Sequence, residues 1–132
     1  MIVLDASAVV SILLDPGSDA EPIRERVEKP GERVHVPHLL DLEVLNVLRR
    51  QTLRGILTTE RGTMALQDLE NIKMTRYPHT SLLGRIWELR DNLTAYDAAY
   101  VALAEALDAP LVTTDARLAQ ASGNRATVEL YG

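Results

Sequence analysis

No cysteine occurs anywhere in the 132 residues. That excludes a disulfide framework, a cysteine zinc site and a thiol nucleophile, and it fits a reducing compartment, hence a cytoplasmic protein. No apolar run approaches the roughly 20 residues that cross a membrane, so no membrane partner is expected. Residues 1–14 resemble a leader in their apolar content. However, no basic stretch precedes them and Asp5 interrupts the run, so they are expected to be part of the fold. Positive charge is not in excess either. The net charge is −5, and nothing global announces a nucleic-acid binder. Lysine is nearly missing: of 14 basic residues only Lys29 and Lys73 are lysines, and the rest are arginines. Arginine forks suit phosphate better than a lysine point charge does, although genomic base composition produces the same bias. Repeats, low-complexity tracts and long linkers are absent. The length suits one domain, residues 1–132, around one core.

What is present is an alternation of short apolar runs and helical periods. "MIVL" reads as a buried strand, and "SAVVSILL" as a helix stopped by Asp15-Pro16-Gly17. "SDAEPIRERVEK" is a short charged helix and "RVHV" a second strand. Pro37 opens a long helix through "HLLDLEVLNVLRRQTLR", with Gly55 as its stop. "TTERGTMALQDLENI" is amphipathic, "KMTRY" suits a strand, and "TSLLGRIWELR" is helical with Thr80 as cap. The Ala-rich helix "TAYDAAYVALAEAL" follows, then strand "PLVTTD", short helix "ARLAQA" and strand "ATVELY". Strands alternating with helices predict an α/β fold with a mostly parallel sheet between two helical layers.

Topology then places four acids on one rim. In such a fold, strands end and helices begin at the same sheet edge, where ligands bind. Asp5 follows the first strand and Asp115 follows "PLVTT". Glu43 lies in the second turn of the long helix, and Asp97 in the first turn of the Ala-rich one. Each acid admits a structural reading. Asp97 completes a capping box with Thr94 and complements the helix dipole, and Asp5 and Asp115 can cap the helices that follow them. Glu43 resists such a reading. Leu39, Leu40, Leu42, Val44, Leu45, Val47 and Leu48 surround it, and a carboxylate buried among them is costly unless it is paired or binds a metal. Asn46, three positions on, is placed to orient it. Four gathered carboxylates repel one another, and a hard divalent cation such as Mg²⁺ or Mn²⁺ would relieve that. Zinc does not suit a site with neither cysteine nor a histidine pair.

The stretches "MIVLDASAVV", "PHLLDLEVLNVLRR", "LTAYDAAYVALAEAL" and "LVTTDARL" resemble, in that order, the conserved blocks of PIN-domain ribonucleases. More narrowly, they resemble the VapC toxins of bacterial type II toxin–antitoxin modules. The resemblance covers essentially the whole chain. It implies a PIN-like α/β/α sandwich with a short, mostly parallel sheet, and metal-dependent endoribonuclease activity. It also implies Asp5, Glu43, Asp97 and Asp115 as the acidic quartet, with Ser7 and Thr113 as the hydroxyl positions beside the first and last acids. The partners it implies are RNA, a VapB-type antitoxin and a second copy of the chain. Asp5, Asp97 and Asp115 are the expected metal ligands. Glu43 is expected to ligate through water or act as a general base. Ser7, Asn46 and Thr113 are expected to orient the carboxylates.

Rival readings lack their own requirements. A phosphoacceptor receiver domain wants a lysine after a late strand, and Lys29 and Lys73 are misplaced. A haloacid-dehalogenase-type phosphatase wants an aspartate two residues after the first, where Ser7 stands. A non-catalytic module of the same fold would not need all four acids.

Overall fold

The computed structural model describes residues 1–132. β1 (Ile2–Leu4) has all three side chains buried, as a strand covered on both faces requires. It is the centre of a five-stranded sheet ordered β3-β2-β1-β4-β5, with β2 (Val34–Pro37), β3 (Thr75–Tyr77), β4 (Leu111–Thr113) and β5 (Val128–Leu130). Every neighbouring pair is parallel, so the sheet is wholly rather than mostly parallel. Ile2 faces Val34 on one side, and Val3 faces Leu111 on the other. After β3 the chain returns past β1 to add β4 on the opposite side. The direction of strand addition therefore reverses between β1 and β4, and a crevice opens beyond their carboxyl ends.

The helices form the two outer layers. α1 (Ala6–Leu14), α2 (Glu21–Glu28), α3 (Leu39–Leu53) and α4 (Thr59–Asn71) pack on one another. α5 (Leu83–Glu88) packs on α6 (Ala95–Leu107), and the one-turn α7 (Ala116–Ala119) links β4 to β5. In α6 every residue from Ala98 to Ala104 is buried. It lies against β1, β2 and β4, and its alanines let it approach the sheet closely. Gly55, at φ 74°, ends α3 in the left-handed conformation that glycine adopts without strain. Two local expectations shift. Pro37 is the last residue of β2 rather than the first of the helix. Thr80 begins a 3₁₀ turn, Thr80–Leu82, and caps nothing with its side chain, because the chain is already turning at His79.

Five of the twelve arginines tie the scaffold together. Arg26 reaches Glu129 with two nitrogens (2.8 and 3.2 Å), tying α2 to β5. Arg76 grips Asp41 (2.7 and 3.0 Å), tying β3 to α3. Arg85 grips Glu105 (2.7 and 3.0 Å), tying α5 to α6. Such paired forks are the strong form of the ion pair. Arg24 and Arg61 donate to the carbonyls of Ile12 and Leu13, at 3.0 and 2.6 Å, and so satisfy the open end of α1.

Arg85→Ala is expected to cost about 1–3 kcal/mol in urea denaturation at pH 7. Replacing the exposed Arg49 should cost no more than about 0.5 kcal/mol. The guanidiniums of Arg85 and Arg26 hold Glu105 and Glu129 below their ordinary value of 4.5. The folded protein thus binds these protons less readily than the unfolded chain. The stability they contribute is complete above pH 4.5 and is lost as pH falls through the depressed folded values. Arg85→Ala should flatten that acid dependence, and an unchanged profile would show that the clamp carries no stability.

Candidate active site

The crevice is organised around Asp5, the first residue after β1. It is 6% exposed. Its backbone is extended, and Oδ1 caps α1 by accepting the Ala8 N–H at 3.0 Å. Ser7 donates its hydroxyl to the same oxygen at 2.6 Å, and Thr113, at the end of β4, donates to Oδ2 at 2.5 Å. Both hydroxyls in turn accept main-chain donors from the next loop. The Thr114 N–H reaches Ser7 Oγ at 3.0 Å, and the Asp115 N–H reaches Thr113 Oγ1 at 2.9 Å. Hydrogen bonds therefore run from the β4–α7 turn through two hydroxyls onto one carboxylate. They lock β1–α1 to β4–α7 across the point where the strand order reverses.

The other acids stand around this anchor. Asp115 caps α7, with Oδ1 accepting the Arg117 N–H at 2.9 Å. Asp97 lies in the first turn of α6. Thr94 caps that helix by accepting the Asp97 main-chain N–H at 3.2 Å, so the cap does not depend on the Asp97 carboxylate. That carboxylate faces Arg117. Arg117 Nη2 sits 3.2 Å from both Asp97 Oδ2 and Asp115 Oδ2. Glu43 is half-buried on α3, and Tyr100, buried on α6, donates its hydroxyl to Glu43 Oε1 at 2.6 Å. Asn46, the expected partner of Glu43, is exposed and makes no such bond. Nor is Glu43 walled in by leucines, since Leu42 is 68% and Leu45 38% exposed. Sequence reasoning missed Tyr100. The available signal is its spacing: three residues after Asp97, it lies on the same helix face.

The electrostatics join these groups into one site. Burial pushes the Asp5 carboxyl up. Ser7, Thr113 and the Ala8 N–H pull it down, and the Asp115 charge adds to the rise. Burial also raises Glu43, against the Tyr100 hydrogen bond, with further repulsion from Asp97 and Asp5. Asp97 is raised by burial, lowered by Arg117, raised by Asp115 and lowered slightly by the Thr94 hydroxyl. Burial first, then the bond to Glu43 and the nearby carboxylates, keep the Tyr100 phenol protonated at every ordinary pH. The donor set is all oxygen, four carboxylates and two hydroxyls, and suits a hard divalent cation. In this arrangement no three acidic or histidine side chains close around one ion, and Arg117 holds the space between two of them.

Comparison with known proteins agrees with this architecture. The PIN domain family model matches residues 2–124. The VapC ribonuclease Mb0985 of Mycobacterium bovis is 50% identical over 118 residues, which cover 89% of this chain and 88% of that protein. Ribonuclease VapC1 of Mycobacterium tuberculosis is 43% identical over 129 residues, 97% of this chain and 96% of its own. The structure of VapBC2 from Rickettsia felis, bound to a DNA fragment from its promoter, has a TM-score of 0.74 at 15% identity with both chains fully covered. That likeness speaks for the fold alone. The chain belongs to the PIN-domain family, among its VapC ribonucleases.

Thr113→Val keeps the shape of a fully buried side chain but leaves Asp5 Oδ2 and the Asp115 N–H without their hydroxyl. It should lower stability by about 1–3 kcal/mol in urea denaturation. Thr113→Ser should recover most of that loss. Equal midpoints for wild type and Thr113→Val would show that the hydroxyl relay does not hold the crevice together.

Proposed function

We propose that this chain is a metal-dependent endoribonuclease, the toxin of a type II toxin–antitoxin pair. It would hydrolyse phosphodiester bonds in cellular RNA in the cytoplasm, and a VapB-type antitoxin would neutralise it. No helix is long and apolar enough to cross a membrane. The observation that carries the proposal is geometric: Thr113 ties Asp5 to the turn that presents Asp115, Arg117 lies between Asp115 and Asp97, and Tyr100 brings Glu43 to the helix that carries Asp97. A polyanionic substrate would be repelled there unless a divalent cation were bound.

Asp5, Asp97 and Asp115 would hold the ion, which is Mg²⁺ or Mn²⁺. When bound, it supplies charge neutralisation at phosphorus and a more acidic water. Ser7 and Thr113 fix the plane of the Asp5 carboxylate, so that ligand is oriented before any ion arrives. Tyr100 occupies one oxygen of Glu43 and leaves the other free. Glu43, pushed up by burial and by its acidic neighbours, is suited to take a proton from the attacking water. The water oxygen forms the new bond to phosphorus, the bond to the 3′ oxygen breaks, and that oxygen leaves as a hydroxyl once protonated. The fragments then carry 5′-phosphate and 3′-hydroxyl ends, and the neighbouring 2′-hydroxyl takes no part.

Arginines that could grip RNA are few near the rim. Arg85 is committed to Glu105, and Arg90 lies over Trp87, 4.5 Å from the ring centroid. Arg49 and Arg50 sit about 10 Å farther along α3 than Glu43. Single-stranded or looped RNA suits such a site, because its phosphates and bases are accessible.

Purified protein should cut mixed RNA into discrete fragments with Mg²⁺ or Mn²⁺ and not in EDTA. Asp97→Asn should reduce cleavage at least about a hundredfold while the protein stays folded, since the helix cap uses the Asp97 main chain. Cleavage by a folded Asp97→Asn protein at the wild-type rate would return Asp97 to a structural role.

Expression without a partner should arrest bacterial growth, and co-expression of the cognate antitoxin should relieve the arrest. Normal growth with abundant folded protein would favour a non-catalytic module.

A further inference from the structure

Arg117 is the only basic side chain paired with any of the four acids. Its pairing differs in kind from the scaffold clamps. Arg26, Arg76 and Arg85 each grip a carboxylate with two nitrogens, at 2.7–2.8 Å for the nearer contact, and where Arg26 and Arg85 also reach a second acid, Glu32 and Glu88, they use a separate nitrogen. Their side chains are 19–32% exposed. Arg117 instead shares one nitrogen between Asp97 and Asp115, at 3.2 Å from each, and its side chain is 74% exposed. Both distances are long for a charge-assisted bond, and an exposed pair of this kind adds little stability. The guanidinium therefore lies between two acids without being locked there.

Its position has two consequences. A dication drawn to Asp97 and Asp115 would meet a positive charge already between them, and the two cations would repel. The long exposed side chain can yield by rotation, because α7 is positioned by Asp115 Oδ1 on the Arg117 main-chain N–H at 2.9 Å and not by the guanidinium. Once displaced, that guanidinium would remain tethered beside Asp115 by its own main chain, within reach of a phosphodiester brought to the acids. Its planar fork matches two phosphate oxygens.

We propose that Arg117 is a displaceable cation of this site: it neutralises Asp97 and Asp115 in the metal-free protein and passes to the substrate phosphate when a divalent ion takes those carboxylates. This rests on the metal-dependent nuclease reading above. Arg117 would then be a catalytic residue that lowers metal affinity while raising the rate of cleavage.

The test measures both quantities on full-length wild type, Arg117→Ala and Arg117→Lys. Mn²⁺ is titrated calorimetrically without RNA, and cleavage is followed at saturating Mn²⁺. Arg117→Ala should bind Mn²⁺ about two- to fivefold more tightly, the range an exposed ion pair allows. It should cleave with kcat/KM about ten- to a hundredfold lower. Arg117→Lys should recover part of the rate and part of the competition. The melting temperature of Arg117→Ala in EDTA should stay within about 3 °C of wild type, so misfolding does not mimic the result. Opposite changes in affinity and rate are the signature, since a merely structural pair would weaken both or alter neither. Unchanged or weaker Mn²⁺ binding by Arg117→Ala, or cleavage at the wild-type rate, overturns the role of Arg117 while the nuclease reading stands. Absence of Mn²⁺ binding and of cleavage in wild type overturns both.

Discussion

A carboxylate buried at the end of the central strand must be given hydrogen bonds, or its desolvation opposes folding. Asp5 receives them from the Ala8 N–H and from the hydroxyls of Ser7 and Thr113. Because Thr113 belongs to β4, satisfying Asp5 also fixes the neighbouring strand and, through the Thr114 and Asp115 N–H groups, the turn that presents the last acid. The other elements are arranged around this junction. α6 lies across β1, β2 and β4 with Asp97 at its start and Tyr100 one turn on, and α3 brings Glu43 within reach of that tyrosine.

The same junction works against stability. Asp5, Glu43 and Asp97 are all raised above their ordinary values of 3.8 and 4.5, chiefly by burial. Their protonated forms favour the fold. That contribution is present in full below the ordinary values and is lost as pH rises through the raised ones. At neutral pH the three therefore oppose folding, unlike Glu105 and Glu129, whose arginine partners favour the charged forms. A site that holds unfavourable negative charge has something to gain from a cation. Arg117 supplies part of that relief. A fold selected for stability alone would not raise three carboxylates at one rim.

Much of this was legible in the sequence, for identifiable reasons. Short apolar runs ending in Asp5 and Asp115 mark strands that feed helices, and the alternation predicts a mostly parallel sheet, which the structure shows to be wholly parallel. The Thr94 cap on the Asp97 main-chain N–H was visible too, as half of a capping box, but the turn of the Asp97 carboxylate toward Arg117 on another helix was not. Other features depend on long-range contacts that local pattern does not carry. Asn46 shares a stripe with Glu43, yet the bond comes from Tyr100 on another helix. The arginine excess suggested phosphate binding, whereas most of the paired arginines lock elements together or cap α1. Only spatial pairing separates these from Arg117.

The central claim is that the acids at the switch point form a divalent-cation site around Asp5. Thermal melts of wild type and Asp5→Asn, each in EDTA and in saturating Mn²⁺, test it most directly. Mn²⁺ should stabilise wild type by about 2.7 kcal/mol at a hundred times its dissociation constant, and Asp5→Asn should lose most of that gain. Melts of wild type that coincide with and without Mn²⁺ would contradict it, as would an equal metal-induced shift in the variant.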